Sequence, residues 1–501
     1  MKLPLTVHNR LSYAGAAIAL LAFMLFVFLS LLHTFTGAAQ APYAGLLIFG
    51  LMPAILVFGL LLIPLGMFFE WRYVRRTSRV SIPTFPVIDL NQPHHRNAAL
   101  IFAIGSVLVL FVTAFGGYSA YEATESVAFC GTLCHTVMQP EYTTYRNSPH
   151  ARVRCVDCHV GPGADWYVKS KLTGAYQVYA VLLDKFPRPI PSPISSLRPA
   201  QQTCEQCHWP EQFYGAQQNT RVYFLPDEKN TRWVVDLLVK IGGGNPAAGR
   251  TEGIHWHMNI ADQVEYIATD AKRQQIPWVR ITDRSTGEVR EYASTENPLT
   301  EREIESMPKR TMDCMDCHNR PAHILRSPRF AVNLALSSGA IDVSLPFIRR
   351  QGVELLAADH ASLDAARVAI SEGLTAFYRS EYPEIAKGRS AVVTQAIRQL
   401  RRIYEQNFFP TMRATWREYP DTLGHLDFEG CFRCHDNQHK SAEGKIIRSD
   451  CRACHTIMSQ GPAGQVTYSD GPDGLEFQHP EDIDDAWQLM KCSTCHSGLN
   501  P

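Results

Sequence analysis

The 501-residue chain has no cysteine to spare. All fourteen belong to seven copies of one short motif, so none remains for a separate disulfide framework. Net charge is also missing, because 48 Lys and Arg balance 48 Asp and Glu. No basic run is long enough to track a phosphate backbone, which excludes nucleic acid as the expected partner. Formal charge is absent from three long segments, Leu11–Leu32, Ala44–Phe69 and Ala98–Tyr121. Uncharged runs of that length are not expected of a soluble core. Cysteine is absent from 213–310 and 331–420, so those stretches do something other than carry the motif.

Six copies of the motif read C-x-x-C-H. They are Cys155 and Cys158 with His159, Cys204 and Cys207 with His208, and Cys314 and Cys317 with His318. Further on come Cys431 and Cys434 with His435, Cys451 and Cys454 with His455, and Cys492 and Cys495 with His496. The first copy, Cys130 and Cys134 with His135, has one residue more between its cysteines, and its longer spacer is expected to bulge. Two thiols followed directly by an imidazole are what covalent c-type haem attachment needs. The thiols form thioethers to the vinyl groups, and the histidine reaches the iron from one face. Zinc ribbons and thioredoxin-like pairs use C-x-x-C but do not need the histidine. The chain is expected to carry seven covalently bound haem c groups.

Seven irons take fourteen axial ligands, of which the motif histidines supply seven. Eight other histidines lie beyond residue 121: His150, His255, His257, His323, His360, His425, His439 and His479. Bis-histidine ligation saturates the iron and suits electron transfer. His150, His323, His425, His439, His479 and one of His255 and His257, taken as His257, are the candidate distal ligands. His360 sits in a helical stretch and reads as a packing residue. Met138 follows His135 by three residues, but Met458 stands in the same place after His455, so spacing alone does not make it a ligand.

Each uncharged segment exceeds the roughly 20 residues that cross a bilayer core as a helix. Pro53 and Pro64 in the second are tolerated as kinks. Lys2 and Arg10 precede the first span, and the loop His33–Tyr43 has no Lys or Arg. The next loop carries Arg72, Arg75, Arg76, Arg79 and Arg96, and Glu122 and Glu125 follow the third span. The positive-inside rule then sets the amino terminus in the cytoplasm and everything after residue 121 in the periplasm, where c-type haem is attached. Ala39–Gln40–Ala41 resembles a signal-peptide cleavage site, but the apolar run before it is too long for a signal peptide.

The expected fold is mainly α with irregular haem-wrapped segments: three transmembrane helices, a periplasmic multihaem cytochrome c and a small β-rich insertion. Residues 1–121 form the membrane anchor and 122–212 a domain with the first three haems. Residues 213–310 form the insertion, with alternating stretches at Arg221–Leu225, Ile254–Ile260, Val264–Ala268 and Trp278–Thr282 and a turn at Gly242–Gly244. Residues 311–330 hold the fourth motif. Residues 331–420 are a helical connector with packing stripes at Val353, Leu356, Ala357 and at Val393, Ile397, Leu400, Ile403. Residues 421–501 form a triheme module.

The stretch FCGTLCHTVMQPEYTTYRNSPHARVRCVDCH, Phe129–His159, resembles the start of the NapC/NirT/NrfH family of membrane quinol dehydrogenases. It shares a haem motif just outside a transmembrane helix, a following methionine, the Ser148–Pro149–His150 triplet and a second haem motif. The segment Asp316–His323 is similar to that family's fourth-haem region. The likeness covers about residues 100–210 and 311–325. It implies a tetraheme unit whose first haem lies at the membrane surface beside a quinol pocket. It further implies Met138 as a ligand of that haem, beside or in place of His135, with His150 and His323 as distal ligands. Lys171 stands where relatives have a lysine near the quinol, and Asp165 is a candidate proton acceptor. Three spans, the long first spacer, the insertion and the extra triheme module depart from the simple pattern. They are similar to the heptahaem inner-membrane cytochromes of metal-reducing bacteria.

These readings together imply a membrane cytochrome of the bacterial inner membrane. It would oxidise menaquinol or ubiquinol and pass electrons to a periplasmic cytochrome or reductase in anaerobic or extracellular respiration. Two alternatives stand beside it. One is a terminal reductase of a small anion such as nitrite, which needs an open iron. The other is a wiring subunit of a larger respiratory complex with no quinone site of its own. Whether the chain forms a homo-oligomer or joins such a complex is left open by the sequence.

Overall fold

The computed structural model describes residues 7, 9–36, 51–77, 89–161, 163–194, 197–243, 247, 252–258 and 260–498. Lys2, Arg79, the Ala39–Gln40–Ala41 stretch, the Ala44–Gly50 start of the expected second span and Gly244 lie outside them. The chain divides into two compact units, residues 1–135 with 154–156, and residues 136–153 with 157–501.

In the first unit three helices are long and apolar enough to cross a membrane: α1 (Arg10–Thr36), α2 (Met52–Thr77) and α3 (Pro93–Glu125). The outer faces present large apolar side chains such as Leu20, Met24, Phe28, Leu61, Leu110 and Phe111. Lipid rather than water is the solvent such faces fit. α1 and α2 meet through small residues. A Cβ on Gly15 would stand 2.6 Å from the Gly59 carbonyl oxygen, and one on Gly59 2.7 Å from the Ala19 nitrogen. Ser12, fully buried, donates its hydroxyl to the Ile63 carbonyl at 3.0 Å, one residue before Pro64. Small residues and hydroxyl donors are how helices associate where the hydrophobic effect gives no drive.

In the second unit the apolar core lies in the connector. Its helices are α5 (Pro328–Ser337), α6 (Ile348–Ala357), α7 (Leu363–Glu381) and α8 (Ser390–Asn407). The two stripes expected there are buried on them at Val353, Leu356, Val393, Ile397, Leu400 and Ile403, whereas Ala357 is half-buried. They pack with Val332, Ile370, Leu374 and Tyr378. Upstream, α4 (Ala164–Leu182) follows the second motif.

Two antiparallel sheets knit distant segments. The first runs β1 (Ala216–Phe224), β2 (Arg232–Lys240), β8 (His455–Pro462), β9 (Thr467–Tyr468). The second runs β6 (Arg310–Thr311), β3 (Asp262–Ile267), β4 (Trp278–Asp283), β5 (Val289–Ser294), β7 (His439–Lys440). The β-rich stretch therefore shares both sheets with the C-terminal segment: Val239 opposes His455, and Ser294 opposes His439. One expected strand is corrected. Ile254–His257 is a 3-10 turn, because the ring nitrogens of His255 and His257 bond the carbonyls of Ile241 and Ile254 instead of leaving the alternation to a sheet.

Gly59→Val is expected to destabilise the α1/α2 pair by about 1–3 kcal/mol, the cost of overpacking a close contact. Gly105→Ala on α3, where a Cβ meets nothing within 4 Å, is expected to be neutral. Thermal unfolding in detergent reads both; equal behaviour of the two variants would contradict the packing described.

Candidate metal centres

The motifs share a local geometry set by their spacing. Residues from the first to the second cysteine form one helical turn at Cys314–Cys317, Cys451–Cys454 and Cys492–Cys495. The histidine amide closes the turn on the first cysteine's carbonyl, at 2.8 Å for His208, 2.7 Å for His318, 3.1 Å for His435 and 2.8 Å for His496.

Four motifs depart from that form, one of them with Cys434 just outside the 3-10 turn Gly430–Arg433. Cys155 and Cys158 lie in a helix that runs through the histidine itself, Cys155–His159. Cys207 falls just outside the 3-10 turn Cys204–Gln206 and caps it, its amide donating to the Cys204 carbonyl at 3.1 Å. The longer first motif has Cys130 in the helix Val127–Thr132 and reaches Cys134 through a turn at Leu133–Cys134. Cover differs too. Cys207, Cys451 and Cys495 are exposed, whereas Cys158 and the other ten are half-buried. None of the fourteen thiols is in a disulfide.

The thiols do not have the electrostatics of a redox pair. Reactive C-x-x-C thiols are held low by positive surroundings. Burial instead pushes Cys317 and Cys434 up to about 12 and Cys454 up to about 11. Cys204 is lowered, by a hydrogen bond with Cys314, which brings the third and fourth motifs side by side. Among the described residues no three His, Cys, Asp or Glu side chains converge on a common metal position. A tetrahedral zinc site is therefore not what the cysteines build.

The imidazoles instead come in twos. Ring centres are 6.2 Å apart for His159 and His323, 6.3 Å for His208 and His150, and 6.0 Å for His435 and His257. They are 6.2 Å apart for His455 and His425, and 6.0 Å for His496 and His479. A metal bound between two imidazoles at about 2 Å from each nitrogen, with about 1 Å more to each ring centre, sets the centres about 6 Å apart. In every pair one ring belongs to a motif and the other does not. The sixth regular motif histidine, His318, has His255, His208 and His150 in its electrostatic surroundings.

The chain also sets ring orientation and charge. Nδ1 of His257 donates to the Ile254 carbonyl at 3.1 Å, and that of His435 to the Arg448 carbonyl at 3.0 Å. Nδ1 of His323 donates to the Glu141 carbonyl at 3.0 Å, whereas Nδ1 of His479 faces both the carbonyl and the amide of Glu481. A ring that donates from Nδ1 keeps its Nε2 lone pair for a metal. Burial lowers the pKa of His159, His323, His425, His435, His455 and His496, and takes His257 to about 4. The neutral, ligating imidazole is thus the favoured form.

Comparison with known proteins agrees with this geometry. Residues 92–189 match the model of the NapC/NirT cytochrome c family, N-terminal region. The chain is 44% identical over 496 residues to the cytochrome c-type protein ImcH of Geobacter sulfurreducens, covering 97% of this chain and 95% of that protein. The chain belongs to the NapC/NirT cytochrome c family. It is a membrane multihaem cytochrome with covalently bound haem c, and electron transfer is its role. No solved structure matches it.

For a cytochrome of this family the paired rings fit as axial ligands. His439 does not fit. Its Nδ1 faces Asp436 Oδ1 at 2.9 Å and its Nε2 faces the Ile276 carbonyl at 2.7 Å, so both nitrogens are engaged and the ring is buried in the second sheet. This corrects the expectation that His439 is a distal ligand. His255, set aside in favour of His257, is in the electrostatic surroundings of His318, and its ring meets Phe213 at 4.6 Å. His360 bonds the Leu355 carbonyl at 3.4 Å and meets Tyr404 edge-on, as a packing residue does. Met138 is half-buried on the helix His135–Arg146; the side chain of His135 lies outside the described ones.

Two residues that the motifs do not announce support the pair of His159 and His323. Glu141 takes both hydrogen bonds of Arg320 Nη2, at 3.1 and 3.0 Å, while its own carbonyl holds His323. Arg320 lies inside the Cys317–His323 segment, but nothing in the sequence points to Glu141. Asp316, buried, accepts from Tyr266 at 2.6 Å, Arg310 at 2.7 Å and Arg273 at 3.0 Å, fixing the fourth motif to the second sheet.

His257→Ala is expected to turn one low-spin haem high-spin, visible as a new signal of about one haem equivalent in electron paramagnetic resonance. His439→Asn is expected to leave the low-spin count unchanged and to cost about 1–3 kcal/mol, because a buried acceptor loses its partner. A high-spin haem in His439→Asn would contradict the assignment.

Proposed function

We propose that this cytochrome oxidises quinol at the periplasmic face of the bacterial inner membrane. Electrons then pass through seven haem c groups to a soluble periplasmic acceptor. Each haem would be held by the two cysteines of one motif, Cys155 with Cys158 and Cys204 with Cys207 among them. The observation that carries the reading is the set of imidazole pairs at one spacing near 6 Å. At the five motifs with such a pair, two nitrogens per iron would leave no site for a small anion to bind, which favours relay over terminal reduction. When bound, the haems supply the one-electron redox chemistry. The polypeptide favours the neutral form at His257, His323 and His435 by burial, and orients those rings through backbone carbonyls.

The quinol end of the proposal rests on α4 and on the family resemblance. Val168, Leu172, Tyr176, Tyr179 and Leu182 are exposed at helical spacing on α4, forming an apolar stripe. Lys169 lies 4.7 Å over the Trp166 ring, and Lys185 bonds the Tyr179 hydroxyl at 2.8 Å. Apolar, aromatic and lysine side chains together suit the lipid–water boundary. At about 100° per residue, Asp165 and Lys171 fall on opposite borders of that stripe, about 9 Å apart along the axis. Lys171, its ammonium 4.8 Å over the Tyr167 ring, would hydrogen-bond a quinol oxygen through Nζ. Asp165, exposed in the first turn, would take a proton toward the aqueous side. Each quinol leaves as quinone, giving two electrons to the haems and two protons to the periplasm. Outward placement of the haem part follows from the charge asymmetry of the loops.

Anaerobic mixing of the purified protein with a menaquinol analogue tests this, with the haem spectrum as readout. Lys171→Gln is expected to slow reduction at least about tenfold and to leave reduction by dithionite unchanged. Wild-type protein that dithionite reduces but no quinol analogue does would instead favour a wiring subunit.

A further inference from the structure

The last motif adjoins a buried cationic cluster that the electron-relay reading does not use. Arg349 is 1% exposed, and its Nε and Nη1 are buried without a hydrogen-bond partner. It sits in the first turn of α6, where there is no acidic residue and where its own backbone amide is taken by Asn230 Oδ1 at 2.9 Å. Arg329, 6% exposed, sits in the first turn of α5, which likewise has no acidic residue. The nearby carboxylate is already committed. Asp427 Oδ1 takes Arg329 Nε at 3.0 Å and also its Nη2, and Oδ2 takes the Ser327 hydroxyl at 2.6 Å.

The cluster therefore holds two guanidinium charges against one carboxylate, at the positive ends of two helices. A buried charge without a counter-charge is costly, and a fold keeps one where an anion arrives to meet it. Burial and Arg329 lower Arg349 to about 9, which is the same imbalance seen from the proton's side. The neighbours say which anion. The imidazole of His496 has Arg329, Asp427 and Arg349 in its electrostatic surroundings, and the half-buried Tyr223 has Arg329, Asp427 and Cys492 in its own. The tail that follows closes over the same place, since Trp416 Nε1 donates to the Ser497 carbonyl at 3.5 Å.

We propose that Arg349 receives a propionate carboxylate of the haem carried by Cys492 and Cys495. The proposal rests on that motif binding haem. Arg349 is a positioning and electrostatic residue: it holds the carboxylate and, as a buried positive charge, favours the reduced form of that haem.

The test uses the full-length holoprotein, with haem stoichiometry counted first by intact mass. A wild-type chain lacking haem at Cys492 and Cys495 overturns the proposal together with the reading of that motif, whereas a full complement isolates the role of Arg349. Arg349→Met is then titrated potentiometrically. One haem component is expected to become harder to reduce, with about a tenfold higher oxidised-to-reduced ratio at fixed ambient potential, about 59 mV for one electron. Arg349→Lys, which keeps the charge, is expected to retain most of the wild-type value. No shift in any component of a fully loaded Arg349→Met protein overturns the proposal. Inorganic phosphate that shifts one haem component of the wild-type protein, and leaves Arg349→Met unchanged, assigns the site to a free anion and overturns it as well. Should Arg349→Met fail to load, an electron cryomicroscopy map of the wild-type protein decides. A propionate oxygen within hydrogen-bond reach of Nε or Nη1 supports the proposal, and propionates turned away from Arg349 sink it.

Discussion

Everything in the second unit turns on imidazoles set in twos at one spacing, the width that a metal between two rings would need. Five ring pairs keep that separation within 0.3 Å, although their members lie between 17 and 178 residues apart in the chain. Ordinary packing sets no common distance between rings so differently embedded. Ligation does, because metal–nitrogen bonds are short and stiff. The carbonyls of Ile254, Glu141 and Arg448 hold the rings of His257, His323 and His435 by one nitrogen and leave the other free to face its partner ring. Burial lowers the pKa of His257, His323 and His435, which favours their neutral form.

The two sheets and the connector helices serve that spacing. β8 begins at His455, and its register against β2 places the ring. The 3-10 turn Ile254–His257 rotates residues two apart by about 240°. That sends His257 to His435 and leaves His255 in the electrostatic surroundings of His318. The α5–α8 bundle, built on a buried apolar core, carries Arg329 and Arg349 into the electrostatic surroundings of His496. The membrane helices solve a separate problem. They lack a hydrophobic drive for association, and Ser12, Gly15 and Gly59 bring α1 and α2 together by close approach.

Much of this was readable from local pattern. The motifs, the three charge-free runs and the stripes at Val353–Leu356 and Val393–Ile403 are signals within a few residues, and the helices at those places are where they point. What was not readable is long-range. Ile254–Ile260 alternates like a strand, but its alternating residues are histidines whose ring nitrogens bond backbone carbonyls. His439 looked like a ligand because it lies four residues past His435, yet Ile276, far upstream, takes its second nitrogen. The pairing of β2 with β8 and of β5 with β7 ties the insertion to the C-terminal segment across more than 140 residues, and no local composition encodes it. Glu141 is similarly silent until Arg320 and His323 are folded against it.

The most direct test of the account counts both metal groups and ligands. Intact mass of the purified membrane protein gives the number of attached haems, and low-temperature magnetic circular dichroism gives the number with two nitrogen ligands. The account predicts seven haems, of which at least the five with observed ring pairs are low-spin bis-histidine. Fewer attached haems than motifs, or a majority of irons with an open face, would contradict it.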